Sequence, residues 1–105
     1  MANWSMKCRK CGADLGDLRE AAASICLRPR EDEETRTYFF CEACGVWSVW
    51  LCIEDQWTDE DKLIAVGPVS REEGDRIVAL IGECPDPGLS WCRCPVHGKL
   101  NGTLA

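Results

Sequence analysis

One five-residue pattern occurs twice in this chain, as CRKCG at Cys8–Gly12 and as CEACG at Cys41–Gly45, with 29 residues between Cys11 and Cys41. Two cysteines separated by two residues let successive backbone N–H groups turn toward the sulfurs, and the glycine that follows closes the turn in the left-handed conformation. Four thiolates, from Cys8, Cys11, Cys41 and Cys44, then converge as a tetrahedral metal set. A single CxxC also fits a redox dithiol, but that chemistry needs a strand before the pair and a helix after it, and gives no reason for a second copy. A chain that must bring residue 11 to residue 41 has few folds open to it.

These paired CxxCG knuckles resemble those of the zinc-ribbon group, over about half of the chain, Met6 to roughly Asp55. The resemblance implies a structural zinc and two knuckles clamping a small antiparallel sheet. It implies no particular function, because such ribbons serve in transcription, in ribosomes, in polymerases and in protein docking alike. The intervening segments fit a sheet. SICLRPR (Ser24–Arg30) and TRTYFF (Thr35–Phe40) are rich in β-formers, and the EDEE between them is polar enough for a hairpin tip. VWSVWLCIE (Val46–Glu54) crowds apolar residues onto both faces of a strand, with Trp47, Val49, Leu51 and Ile53 on one and Val46, Ser48, Trp50 and Cys52 on the other. DLREAAA (Asp17–Ala23) reads as a short helical turn capped by Asp17, and KLIAVGPV (Lys62–Val69) as a further strand.

Ser70 with Glu73 is a capping-box signature, and Ile77, Leu80, Ile81 and Cys84 recur at helical spacing, so a helix is predicted over Arg71–Glu83, with Gly74 a mild cost inside it. Pro85 and Pro87 stop it. The stretch that follows, PDPGLSW and then CRCPVH, folds back as a turn and a tight loop. Cys84, Cys92, Cys94 and His97 then supply three sulfurs and an imidazole, a second complete set for zinc. The alternatives are a buried Cys84 with two free thiols and a surface histidine, or an iron–sulfur cluster on the same ligands. Two ions per chain are expected. Cys26 and Cys52 are left over in strands, where cysteine behaves as a small hydrophobe.

The expected architecture is α+β in one domain, 1–105. It combines a ribbon over 6–55 with a three- or four-stranded antiparallel sheet, a strand and C-terminal helix over 62–83, and a metal-binding tail loop over 84–97. A domain of 105 residues has a modest core, so metal cross-links would matter. The odd cysteine count and the absence of an apolar run at the N-terminus point to a reducing, cytoplasmic setting, and no stretch approaches the ~20 apolar residues of a membrane helix.

Twelve Lys and Arg against 18 Asp and Glu give a net charge of -6, the wrong sign for binding phosphates by counter-ion release. Lys7, Arg9 and Lys10 form a local basic cluster, whereas Arg28 and Arg30 run into Glu31, Asp32, Glu33 and Glu34. No HxE, HExxH, phosphate loop or nucleophile elbow is present and the only histidine is committed to metal, so no catalytic residue is expected. Of five tryptophans, Trp47 and Trp91 are expected to cover the metal sites or the sheet, and Trp4, Trp50 and Trp57 to face a protein partner. The expected function is that of a non-enzymatic adaptor or regulator. Nucleic-acid binding through the Lys7, Arg9 and Lys10 knuckle is the alternative, and a thiol sensor that releases zinc on oxidation is a third.

Overall fold

A computed structural model describes residues 5–28, 32–54, 61–89, 92 and 94–100. Four strands, β1 (Ala23–Leu27), β2 (Glu33–Cys41), β3 (Val46–Glu54) and β4 (Asp61–Val69), form one antiparallel sheet in the order β1-β2-β3-β4. Helix α1 (Arg71–Glu83) and a short α2 (Pro95–Leu100) follow. The α+β class and the four-stranded sheet agree with the sequence.

The borders of β3 and α1 fall where the pattern put them. Ser70 caps α1 by accepting from the Glu73 N–H at 3.2 Å, but the Glu73 carboxylate turns outward to Arg76 and leaves the box half closed. Three other expectations are corrected. Glu33 and Glu34 of the expected EDEE tip already pair in β2, and β1 ends at Leu27, short of the expected Arg30. The helical turn after the first knuckle is only a 3-10 turn, Leu18–Glu20, with Asp17 accepting from the Arg19 N–H at 2.9 Å, and Ala23 already belongs to β1. CRCPVH is not a plain loop either, since Pro95 opens α2. Proline at a first helical position loses no intrahelical bond and brings its φ already set, a signal that the string CPVHGKL carried.

Alternation along the strands divides the sheet into two faces. Ile25, Leu27, Tyr38, Trp47 and Val49 form the core with Ile77 and Ile81 of α1, Cys84 at its end, and Val96 and Leu100 of α2. Four residues apart, Ile77 and Ile81 share one side of α1, which is the side that must be buried. At about 1.5–3 kcal/mol for each large apolar side chain, this contact holds both helices on the sheet. On the other face Phe39 and Ser48 are buried, and the Ser48 hydroxyl accepts from the Arg9 N–H at 2.9 Å, which seats the first knuckle there.

Gly74 has a reason the sequence hid. A Cβ at this position would overlap the Trp47 indole at Cδ1 and Cγ, so only glycine lets α1 lie flat on that ring. The indole Nε1 donates to Asp75 Oδ1 at 2.9 Å, one residue along. Gly74→Ala gains ~1 kcal/mol in helix propensity but forces the ring or the helix away, a cost of about 1–3 kcal/mol or more. Chemical denaturation of the metal-loaded protein should show a net loss, and a rise in stability would contradict this packing.

Candidate metal centres

Both four-residue sets predicted as metal ligands are brought together. In each, the donor atoms lie within 4.8 Å of one another. A tetrahedral zinc with Zn–S near ~2.3 Å and Zn–N near ~2.0–2.1 Å requires donor separations of roughly 3.5–3.8 Å. In the first centre Cys8 and Cys44 sulfurs stand 4.0 Å apart and Cys11 and Cys41 sulfurs 3.8 Å. In the second, Cys84 lies 3.9 Å from Cys92 and 3.3 Å from Cys94, and His97 Nδ1 lies 3.3 Å from Cys84 and 3.4 Å from Cys94. All nine cysteines are free of disulfides. Each centre can hold one metal ion.

The first centre is built from two turns of one kind. Gly12 (φ 80) donates to the Cys8 carbonyl at 3.0 Å and Gly45 (φ 67) to the Cys41 carbonyl at 2.8 Å, each closing its knuckle in the left-handed region. A small hairpin carries the first knuckle, with the Met6 N–H donating to the Gly16 carbonyl, the Leu15 N–H donating to the Met6 carbonyl, and Lys7 bridging Asp14. The second knuckle is itself the β2–β3 turn, since Cys41 and Val46 are the last paired residues of those strands. The ion position therefore ties the N-terminal hairpin to one end of the sheet.

Backbone donors prepare the sulfurs. Burial raises the Cys8 thiol, but N–H groups of Cys11 and Lys10, at 3.5 and 3.4 Å from its sulfur, and the adjoining thiols outweigh it and bring it down to about 6. Cys44 is pushed up to about 12, first by its hydrogen bond with Cys11 and then by burial. The second centre repeats the division. The His97 N–H brings Cys94 down to about 6, and burial drives Cys84 up to about 11. Each centre thus pairs a sulfur that ionises readily with one that resists ionising beside it, and a dication removes that resistance for all of them.

The second centre holds the tail against the sheet. Cys84 caps α1, Cys92 and Cys94 lie on the connection, and His97 is buried on α2. With Nδ1 facing the sulfurs, Nε2 sits 3.0 Å from the Cys26 carbonyl of β1 and donates to it. This outer bond fixes the tautomer and orients the ring for metal. The Cys26 N–H in turn donates to the Pro87 carbonyl at 2.7 Å. Arg36, buried on β2 and paired with Glu34, donates to the Leu100 carbonyl at 3.4 Å and holds the last turn of α2. Sequence reasoning missed Arg36 and the two backbone partners. A carbonyl has no sequence signature, and an arginine between threonines in TRTYFF reads as surface.

Cys26 and Cys52 do lie in strands, β1 and β3, half-buried, with burial the main reason their thiols are pushed up. Trp47 is buried beneath α1, and Trp50 is half-buried on the opposite face of β3. Trp4, Trp57 and Trp91 lie outside the described residues. Lys7, Arg9 and Lys10 are exposed, with Lys7 paired to Asp14 at 3.1 Å. No helix among the described residues is long and apolar enough to cross a membrane. No family model, curated protein or solved structure matches this chain.

Proposed function

We propose that this protein is a non-enzymatic docking domain, an adaptor or regulator whose two zinc ions are structural. The observation that carries the reading is that each centre presents a complete set of four protein donors drawn from segments far apart in sequence or from different elements. Structural zinc sites are closed in this way, whereas a catalytic zinc keeps a position for water or substrate. Every ligand is thereby committed to joining elements. Function falls to the surface, which is acidic at a net charge of -6, and more so with metal, because four thiolates around a dication leave two negative charges and three leave one. Such a surface suits a basic protein partner better than a phosphate backbone.

Native mass spectrometry with elemental analysis of the protein purified with whatever accompanies it tests this directly. Two zinc ions per chain and a stoichiometric protein, identified by its peptide masses and released when zinc is stripped, are the expected result. Iron at either centre would contradict the metal assignment. Nucleic acid in place of a protein, lost on removing charge at Lys7 and Lys10, would contradict the docking reading.

A further inference from the structure

The two outer edges of the sheet are finished differently. At β1 the outward N–H and C=O of Cys26 are both taken, by the Pro87 carbonyl at 2.7 Å and by His97 Nε2 at 3.0 Å, so the tail occupies that edge at its Cys26 position. At β4 no described strand pairs with the outer side. This edge is nine residues long, against about five or six for an average strand. It also carries two of the three exposed large hydrophobic residues among those described, Leu63 at 58% and Ile64 at 43% exposure. As neighbours on a strand they point to opposite faces.

Edge strands are normally blunted by proline, bulges or charge, because a row of unpaired backbone groups invites another chain. Such devices are confined to the far end of β4: the register shift opposite Trp47 and Val49, and Pro68, which has no N–H to offer. Val66 and Val69 pack against the core there. The first half, Asp61 to Val66, has only the charges of Asp61 and Lys62. A strand added along it would cover Leu63 on one face and Ile64 on the other.

Charge selects the occupant. Glu54 and Asp61 stand directly opposite one another on β3 and β4, at the end of the sheet where this open half begins. Like charges directly opposite one another destabilise a ladder, so this pair is a cost within the domain itself. Lys62 is the only basic residue from Glu54 to Val69. A second copy of this chain would bring another net charge of -6 to the edge, whereas a basic strand would relieve the Glu54–Asp61 pair.

We infer that the open half of β4, Asp61–Val66, receives an extended segment of a partner protein, alternately apolar and basic, as a fifth strand. The inference rests on the docking reading and gives it a surface. Backbone hydrogen bonds supply the attachment, Ile64 the apolar contact on one face, and the acidic pair on the other face, which Asp61 shares with Leu63, the choice of basic side chains.

The test uses the zinc-loaded protein and a nonapeptide of alternating valine and lysine, with amide hydrogen exchange as the readout. At a peptide concentration about ten times its dissociation constant, alternate amides of Asp61–Val66 should slow about tenfold. The same peptide N-methylated at alternate residues, which cannot make the edge bonds, should have no such effect, nor should one of alternating valine and glutamate. Leu63→Ser with Ile64→Ser, on exposed positions, should weaken binding while keeping both metals. Equal protection by the N-methylated peptide would overturn the inference, as would protection placed elsewhere. A concentration-dependent dimer abolished by the double variant would overturn it in favour of a second copy. A partner complex that survives the double variant overturns the edge and leaves the docking reading standing, whereas nucleic acid in the partner's place overturns that reading itself.

Discussion

Stripping both metal ions with a strong chelator at neutral pH is expected to abolish the fold. The near-UV circular dichroism of the tryptophans should collapse, and stoichiometric zinc should restore it. Structural zinc contributes about 10–16 kcal/mol of apparent binding energy in small fingers, while the whole net stability of a domain is about 5–15 kcal/mol. The N-terminal hairpin shows why so much depends on the ions. Its described links to the sheet include the Arg9–Ser48 bond and the side chain of Arg9 lying where a Cβ on Gly67 would touch it, and the four sulfurs add the metal to these. Without a dication, Cys44, pushed up to about 12, stays a thiol beside the ionised Cys8. A protein that kept its tryptophan signals after verified metal removal would show that the core suffices alone.

His97→Ala is expected to lower the metal content from two ions to one and to release the tail. The substitution removes both the Nδ1 ligand and the Nε2 bond to the Cys26 carbonyl. Amide exchange should speed up in β1, Ala23–Leu27, and at the end of α1, while the Cys8, Cys11, Cys41 and Cys44 centre stays loaded. Val96 and Leu100, both buried in the core, would be exposed with α2. At about 1.5–3 kcal/mol for each of these side chains, and with the ion's own contribution, the loss is on the order of 5 kcal/mol or more. Two ions retained in His97→Ala would mean that the histidine is not a ligand. An unchanged β1 edge alongside one lost ion would mean that Pro87 alone holds it.

The chemistry of both centres was legible because metal ligands announce themselves by type and spacing. CRKCG and CEACG name their own turn, and the tail's three cysteines and histidine were the remaining tetrahedral set once Cys26 and Cys52 were placed in strands. Ser70 and the spacing of Ile77 and Ile81 likewise set α1, since capping and periodicity are local. The helix at Pro95 was legible too, and was passed over because the cysteines beside it suggested a loop.

What the sequence determined, then, was which side chains could bind metal and which stretches would be strand or helix, because those properties depend on residues a few positions apart. Tertiary structure alone decided that Gly74 is the floor on which the Trp47 indole rests, and that Arg36 is buried to hold the end of α2. It also decided that the Cys26 carbonyl selects the ligating nitrogen of His97, and that the tail takes the outward groups of Cys26 on β1 while no described strand pairs with the outer side of β4. These are contacts between residues 27 to 71 positions apart, often through backbone atoms that every residue possesses, so no local pattern encodes them.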